Sequence, residues 1–155
     1  MRELEVREVR VDTAGGSPVV VLREVGGDRL VPVWMSATGA AAIATATETA
    51  DELRPCVHDL LAGLIATSGS QLDEVRLTEY VDGQFFAELV FGQQTVPARP
   101  SDAIALALRL ACPIRCADEV LKDAGVSPDG QDEVERFREF LDNVSPDDFQ
   151  PPGAQ

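Results

Sequence analysis

Leu72 to Phe91 reads LDEVRLTEYVDGQFFAELVF, and this stretch decides the fold class. Two runs rich in β-branched and aromatic residues flank Asp82-Gly83. Asp-Gly between such runs is the strongest short hairpin signal a sequence can carry. Phe85, Ala87, Leu89 and Phe91 are two apart, so they share one face of the second strand. Gly92-Gln93-Gln94 turns the chain again into a short strand, Thr95 to Ala98. Upstream the pattern repeats. Pro18 to Val25 is Val-rich and apolar on both faces, which predicts a central strand. Gly26-Gly27-Asp28 turns it into Arg29 to Met35, where Pro32 demotes the strand to an edge or a bulge. Leu4 to Asp12 alternates as well, but Val6 and Val9 are three apart, which predicts a bulge near Arg7-Glu8.

Between and after these strands the period changes to that of helices. Ser36 or Thr38 caps a helix predicted from about Ala37 to Ala50. Its small residues, Ala40 to Ala44 around Ile43, predict a close neighbour. A second helix spans about Val57 to Thr67, with Leu60, Leu61, Leu64 and Ile65 on one stripe. A third, Ala103 to Ala111, is apolar nearly all round, which predicts burial. Ala117 to Ala124 and Gln131 to Asn143 read as surface helices, with only a short extended piece before them. Strands in runs and helices in runs, without βαβ alternation, give an α+β fold. The expected form is a mixed or antiparallel sheet of hairpins, three core helices and C-terminal surface helices, in a single domain. Its predicted organisation is a domain over 1–125, an acidic helix packing on it over 126–144, and a flexible tail over 145–155.

Composition narrows the class. The 155 residues suit one domain, and 45% hydrophobic with 26% charged is ordinary for a globular chain. No apolar run approaches the ~18 residues of a membrane span. The N-terminus lacks the apolar core of a signal peptide. Three cysteines make no disulfide scaffold and fit a reducing cytoplasm. Cys112 and Cys116 are too far apart for a CxxC pair, and Cys112 reads as core. The net charge of −14 opposes simple electrostatic binding to nucleic acid. More than half of that excess lies after residue 116, so the remainder has room for a locally positive site. The cations are Arg with one exception, Lys122, and Arg forks suit phosphate. The aromatics are scattered, with no interleaved basic and aromatic surface.

Two segments resemble each other: Arg54-Pro55-Cys56-Val57-His58-Asp59 and Arg99-Pro100-Ser101-Asp102. Each places Arg-Pro before a helix and an acid in its first turn. Pro suits a helix start and Asp complements the dipole, so both have a purely structural reading. The functional alternative is a site where helix N–H groups and Arg hold phosphate oxygens, with carboxylates for a divalent metal such as Mg or Mn. His58, the only histidine, is a general base or ligand candidate. Glu48, Asp51 and Glu52 place acids against the dipole at the end of the first helix, as a solvated linker or a metal attractor.

Three stretches together are similar to the bifunctional nuclease domain family: Leu30-Val31-Pro32-Val33-Trp34 before an Ala-rich helix, Arg54-Pro55 with His58-Asp59-Leu60-Leu61, and Arg99-Pro100-Ser101-Asp102-Ala103-Ile104-Ala105-Leu106-Ala107. The resemblance covers about residues 2–125, and the Val144-to-Phe149 ending looks like actinobacterial members. It implies a small α+β homodimer that cleaves DNA and RNA. It departs at Met35-Ser36, where an Ile-Gly pair is usual, at Gly39, where a Glu is usual, and at Val57, where a Thr is usual.

The expected function is therefore hydrolysis of phosphodiester bonds in nucleic acid, dependent on a divalent metal. His58, Asp59 and Asp102 would be catalytic, with Asp59 and Asp102 as metal ligands. Arg54, Arg99 and Ser101 would hold substrate. The alternative is a non-enzymatic dimeric module that regulates or binds a partner through a degenerate site.

Overall fold

The computed structural model describes residues 1–10 and 16–128. The elements in chain order are β1 (Arg2–Arg10), β2 (Val19–Glu24), β3 (Leu30–Trp34), α1 (Ala37–Ala44), α2 (Val57–Thr67), β4 (Glu74–Val81), β5 (Gln84–Phe91), β6 (Gln94–Ala98), α3 (Pro100–Leu110), β7 (Ile114–Cys116) and α4 (Asp118–Ala124). The strands form one mixed sheet ordered β3-β2-β1-β7-β4-β5-β6. The fold is α+β. Two antiparallel meanders lie side by side, and β7 joins them. It runs antiparallel to β1, with Ile114 opposite Leu4, and parallel to β4, with Cys116 opposite Leu77.

The turn chemistry explains the meanders. Asp82 and Gly83 both hold positive φ, 50° and 80°, the signature of a type I′ turn. The register of β1 against β2 slips between Val6 and Glu8, so Arg7 is the bulged residue behind the odd Val6–Val9 spacing. Pro32 lies on β3, an edge strand, where its missing N–H does no harm. The short extended piece after Pro113 is in fact a central strand. Three residues are too few to show a period, yet Ile114 and Cys116 are buried and Arg115 is not.

Helix α3 fills the core. Ala103 to Ala107 are all 1% exposed or less, so burial all round is what the sequence predicts and what the fold provides. It packs on β4 and β5, with α1 and α2 against it. The expectation of three core helices needs correction. Helix α1 buries Gly39, Ala40 and Ile43, but α2 buries no residue. With α3 already on the sheet, α2 lies outside it, and Leu60 and Leu64 stay half exposed or more. Helix α1 also ends earlier than expected. Thr45 turns its hydroxyl back to Ala41 O at 2.8 Å, and the chain leaves the helix there.

Helix α4 is less superficial than expected, because Val120 and Leu121 are buried. Val126 then exchanges both backbone hydrogen bonds with Leu30 on β3. The helix expected near Gln131 to Asn143, most of the 126–144 segment and the 145–155 tail lie outside the described residues. Cys116 is the fully buried cysteine, and Cys112 is only partly buried. Burial pushes both thiols up to about 11, so neither is a nucleophile near neutrality. Among the described residues no helix is long and apolar enough to cross a membrane.

Candidate functional site

The starts of α2 and α3 meet. Cys56 and Arg99 occupy the N-cap positions, and neither caps its helix with a side chain. Asp102 therefore does not serve as the cap of α3. Its carboxylate faces outward between two partners. His58 Nε2 lies 2.8 Å from Asp102 Oδ1. Arg99 Nε donates to Oδ2 at 2.7 Å, with Nη2 3.3 Å from Oδ1. Burial alone raises the Asp102 pKa, but the bonds from Arg99 and His58 outweigh it and hold the carboxyl below its ordinary value. The group is thus an anion at neutral pH, poised to orient an imidazole.

Asp59 answers to a different set. Arg109 Nε donates to its Oδ1 at 2.7 Å and the Cys56 thiol to its Oδ2 at 2.7 Å. The Cys56 bond first, and then Arg109, hold Asp59 below the ordinary carboxylate range. Arg109 is only 5% exposed at its side chain and also donates to Ala42 O and Ala105 O, at 2.8 and 3.0 Å. It ties α1, α2 and α3 together one residue away from His58. Sequence reasoning passes over Arg109, because a cation in a last helical turn already has a dipole explanation. Its one distinguishing signal is a long cation on an otherwise apolar, buried helix.

The other predicted residues are placed as follows. Ser101 is buried against α1, where a Cβ on Gly39 would come within 2.8 Å of the Ser101 Cβ. Glycine at position 39 thus permits this close approach of α1 and α3. Arg54 is exposed and its guanidinium has no ion-pair partner among the described residues. Asp51 accepts from the backbone N–H groups of Leu53 and Arg54, both at 3.0 Å, so it shapes the turn into α2. With α1 ending at Ala44, Glu48, Asp51 and Glu52 lie in the connection beyond it rather than at its end.

His58, Asp102 and Arg99 open into a cleft of about 870 Å³ with Leu61, Val96 and Leu106 on its walls. That size is typical of a small-molecule site. The donors do not suit a resident Mg or Mn ion. Asp59 and Asp102 are bound to different arginines, and no group of three or more His, Cys, Asp or Glu side chains that could hold a metal occurs among the described residues. What the cluster offers instead is an imidazole held against a carboxylate beside an exposed guanidinium.

The family model described as the bifunctional nuclease domain matches residues 20–129. The chain belongs to the bifunctional nuclease domain family. Two relatives from Mycobacterium tuberculosis, the "Uncharacterized protein Rv1829" of strain ATCC 25618 / H37Rv and the "Uncharacterized protein MT1877" of strain CDC 1551 / Oshkosh, are each 44% identical. The alignment runs over 161 positions and covers 96% of this chain and 98% of each relative. An actinobacterial-type member is consistent with both. Within the bifunctional nuclease domain, the matched segment takes in His58, Asp59, Arg99 and Asp102 together.

Proposed function

We propose that the protein hydrolyses phosphodiester bonds of DNA and RNA at His58, Asp102 and Arg99. The observation that supports this reading is the 2.8 Å bond from His58 to Asp102, with Arg99 on the same carboxylate, inside a cleft. With Asp102 ionised, Nε2–H donates to it and Nδ1 keeps its lone pair. Nδ1 takes a proton from water as the water oxygen bonds to phosphorus and the ester P–O bond breaks. The departing oxygen takes a proton back from the imidazolium. Arg99, whose side chain is 76% exposed, is free to swing a nitrogen onto a phosphoryl oxygen and balance the developing charge. Arg54, exposed just ahead of the α2 start, would be a second clamp, and Asp59 holds His58's helix through Arg109.

The test is cleavage of single-stranded DNA and RNA by the purified protein, with and without chelator, beside Asp102→Ala. The parent is expected to cleave both, and Asp102→Ala to lose about 10²–10⁴-fold. An inactive parent, or an Asp102→Ala protein as fast as the parent, overturns the reading. Loss of rate on chelation would bring in Mg or Mn carried by the substrate phosphates. Three free thiols suit a cytoplasmic setting for this activity.

A second reading is favoured by α2. Val57, Leu60 and Leu64 are 50–71% exposed on one short helix, and an apolar patch of that kind marks an interface. A homodimer that covers this face would serve an enzyme or a non-enzymatic regulatory module alike. Light scattering should give twice the 16.6 kDa chain mass, and Leu60→Glu should return the monomer. A dimer with no cleavage of any phosphodiester would select the regulatory module.

A further inference from the structure

Arg99 stands between two clefts and is the residue they share. On one side lies the large cleft with His58 and Asp102, walled by Leu61 and Val96. On the other lies a smaller cleft of about 280 Å³, lined by Trp34, Met35, Gln84 and Phe85. Trp34 is 42% exposed although it is a large aromatic on an edge strand. Trp34 and Phe85 are scattered in the sequence, but the fold brings them to one side of the same arginine. A phosphate held at Arg99 has two ester arms, and each arm would have an apolar cleft to enter.

We infer that the substrate is single-stranded nucleic acid, held with one phosphate at Arg99, one base in the large cleft against Leu61 and Val96, and the neighbouring base against Trp34. The inference rests on the hydrolysis reading for the position of the phosphate. Charge argues the same way. The chain carries −14, so the dense phosphates of a duplex would meet net repulsion. Affinity must then come from the base faces, which stack on aromatic and aliphatic walls when the strand is unpaired. In a duplex those faces are occupied by pairing and stacking.

Trp34 is the only tryptophan of the chain, so its emission reports the smaller cleft directly. Thymidylyl-thymidine is expected to quench it saturably. Arg99→Ala and Val96→Asp should each weaken that binding about tenfold or more. Val96 is half exposed on an edge strand, so the substitution leaves the core alone. Should that variant misfold by circular dichroism, Leu61→Asp puts the same charge on the opposite wall. In cleavage, an unpaired oligonucleotide is expected to outrun its own duplex by about tenfold or more. The absence of saturable quenching, or a Kd unmoved by a charge on either wall, overturns the inference. Duplex cleaved as fast as single strand also overturns it and leaves the hydrolysis reading standing. Saturable quenching with those dependences but no cleavage keeps the two-cleft site and removes the hydrolysis reading.

Discussion

The starts of α2 and α3 look alike on paper and differ in the folded chain. Both begin Arg-Pro and carry an acid in the first turn. In α3 the arginine pairs with the acid of its own turn, Arg99 with Asp102. In α2 the spacing is longer, and Asp59 pairs with Arg109 from another helix while Arg54 stays unpaired among the described residues. Helix α3 is buried along most of its length, and α2 has no buried residue. The comparison teaches that one motif can do two jobs. The copy on the buried helix supplies the anion at the site. The copy on the exposed helix supplies the histidine, and its acid is used to hold that helix in place.

The sharpest way to break this division is Asp102→Asn. It is expected to lower cleavage about 10²–10⁴-fold, because the amide no longer fixes the imidazole as a base. Its melting temperature should stay within a few degrees, since Asp102 caps nothing. A folded variant that cleaves like the parent would dissolve the distinction between the two helix starts.

Arg109→Leu addresses the holding role. Removing one partner of a largely buried ion pair typically costs about 3–5 kcal/mol. At this chain length that is a fall in melting temperature of roughly 6–20 °C. Calorimetry checks it, and a shift of a degree or two would mean that α2 is held by something else.

Acid sharpens the comparison further. Asp59 and Asp102 both titrate below their ordinary 3.8 in the fold, for different partners. A lowered folded pKa gives stability that is present above the unfolded value and lost as pH falls through the folded one. Unfolding followed against pH should therefore stay flat above about pH 5 and decline below about pH 4. The decline should be shallower in both Asp59→Asn and Asp102→Asn. The smallest effect belongs to Arg54→Ala. With no ion pair in the described residues it should stay within about 0.5 kcal/mol of the parent. Any loss it shows should appear as a raised KM for nucleic acid.

Much of this was legible in the residues, and the gaps have physical causes. Asp82-Gly83, Pro32 and the Val6–Val9 slip announce a turn, an edge and a bulge, because each is a local backbone demand. The all-apolar run of α3 announces burial for the same reason. Helix α2 misleads because its Leu stripe has the pattern of a core helix, while α3 occupies the sheet face it would need. β7 is invisible because three residues carry no period. At the site, His58 and Asp102 stand out by chemistry and position. Arg109 does not, because its importance comes from Ala42, Asp59 and Ala105, three partners spread over three helices.

The placement of β7 sets a schedule for the growing chain. Strand β1 lies inside the finished sheet, but one side of it has no partner until residue 114 has been made. At ordinary synthesis rates that leaves the N-terminal meander with an open strand edge for roughly 5–20 s. An open edge invites pairing with other chains, and charged side chains are the usual deterrent. Strand β1 carries Arg2, Glu3, Glu5, Arg7, Glu8 and Arg10 among its nine residues. The charges that look like mere solvation in the mature fold thus also guard an edge that β7 closes, at Arg2 to Leu4, only late in synthesis.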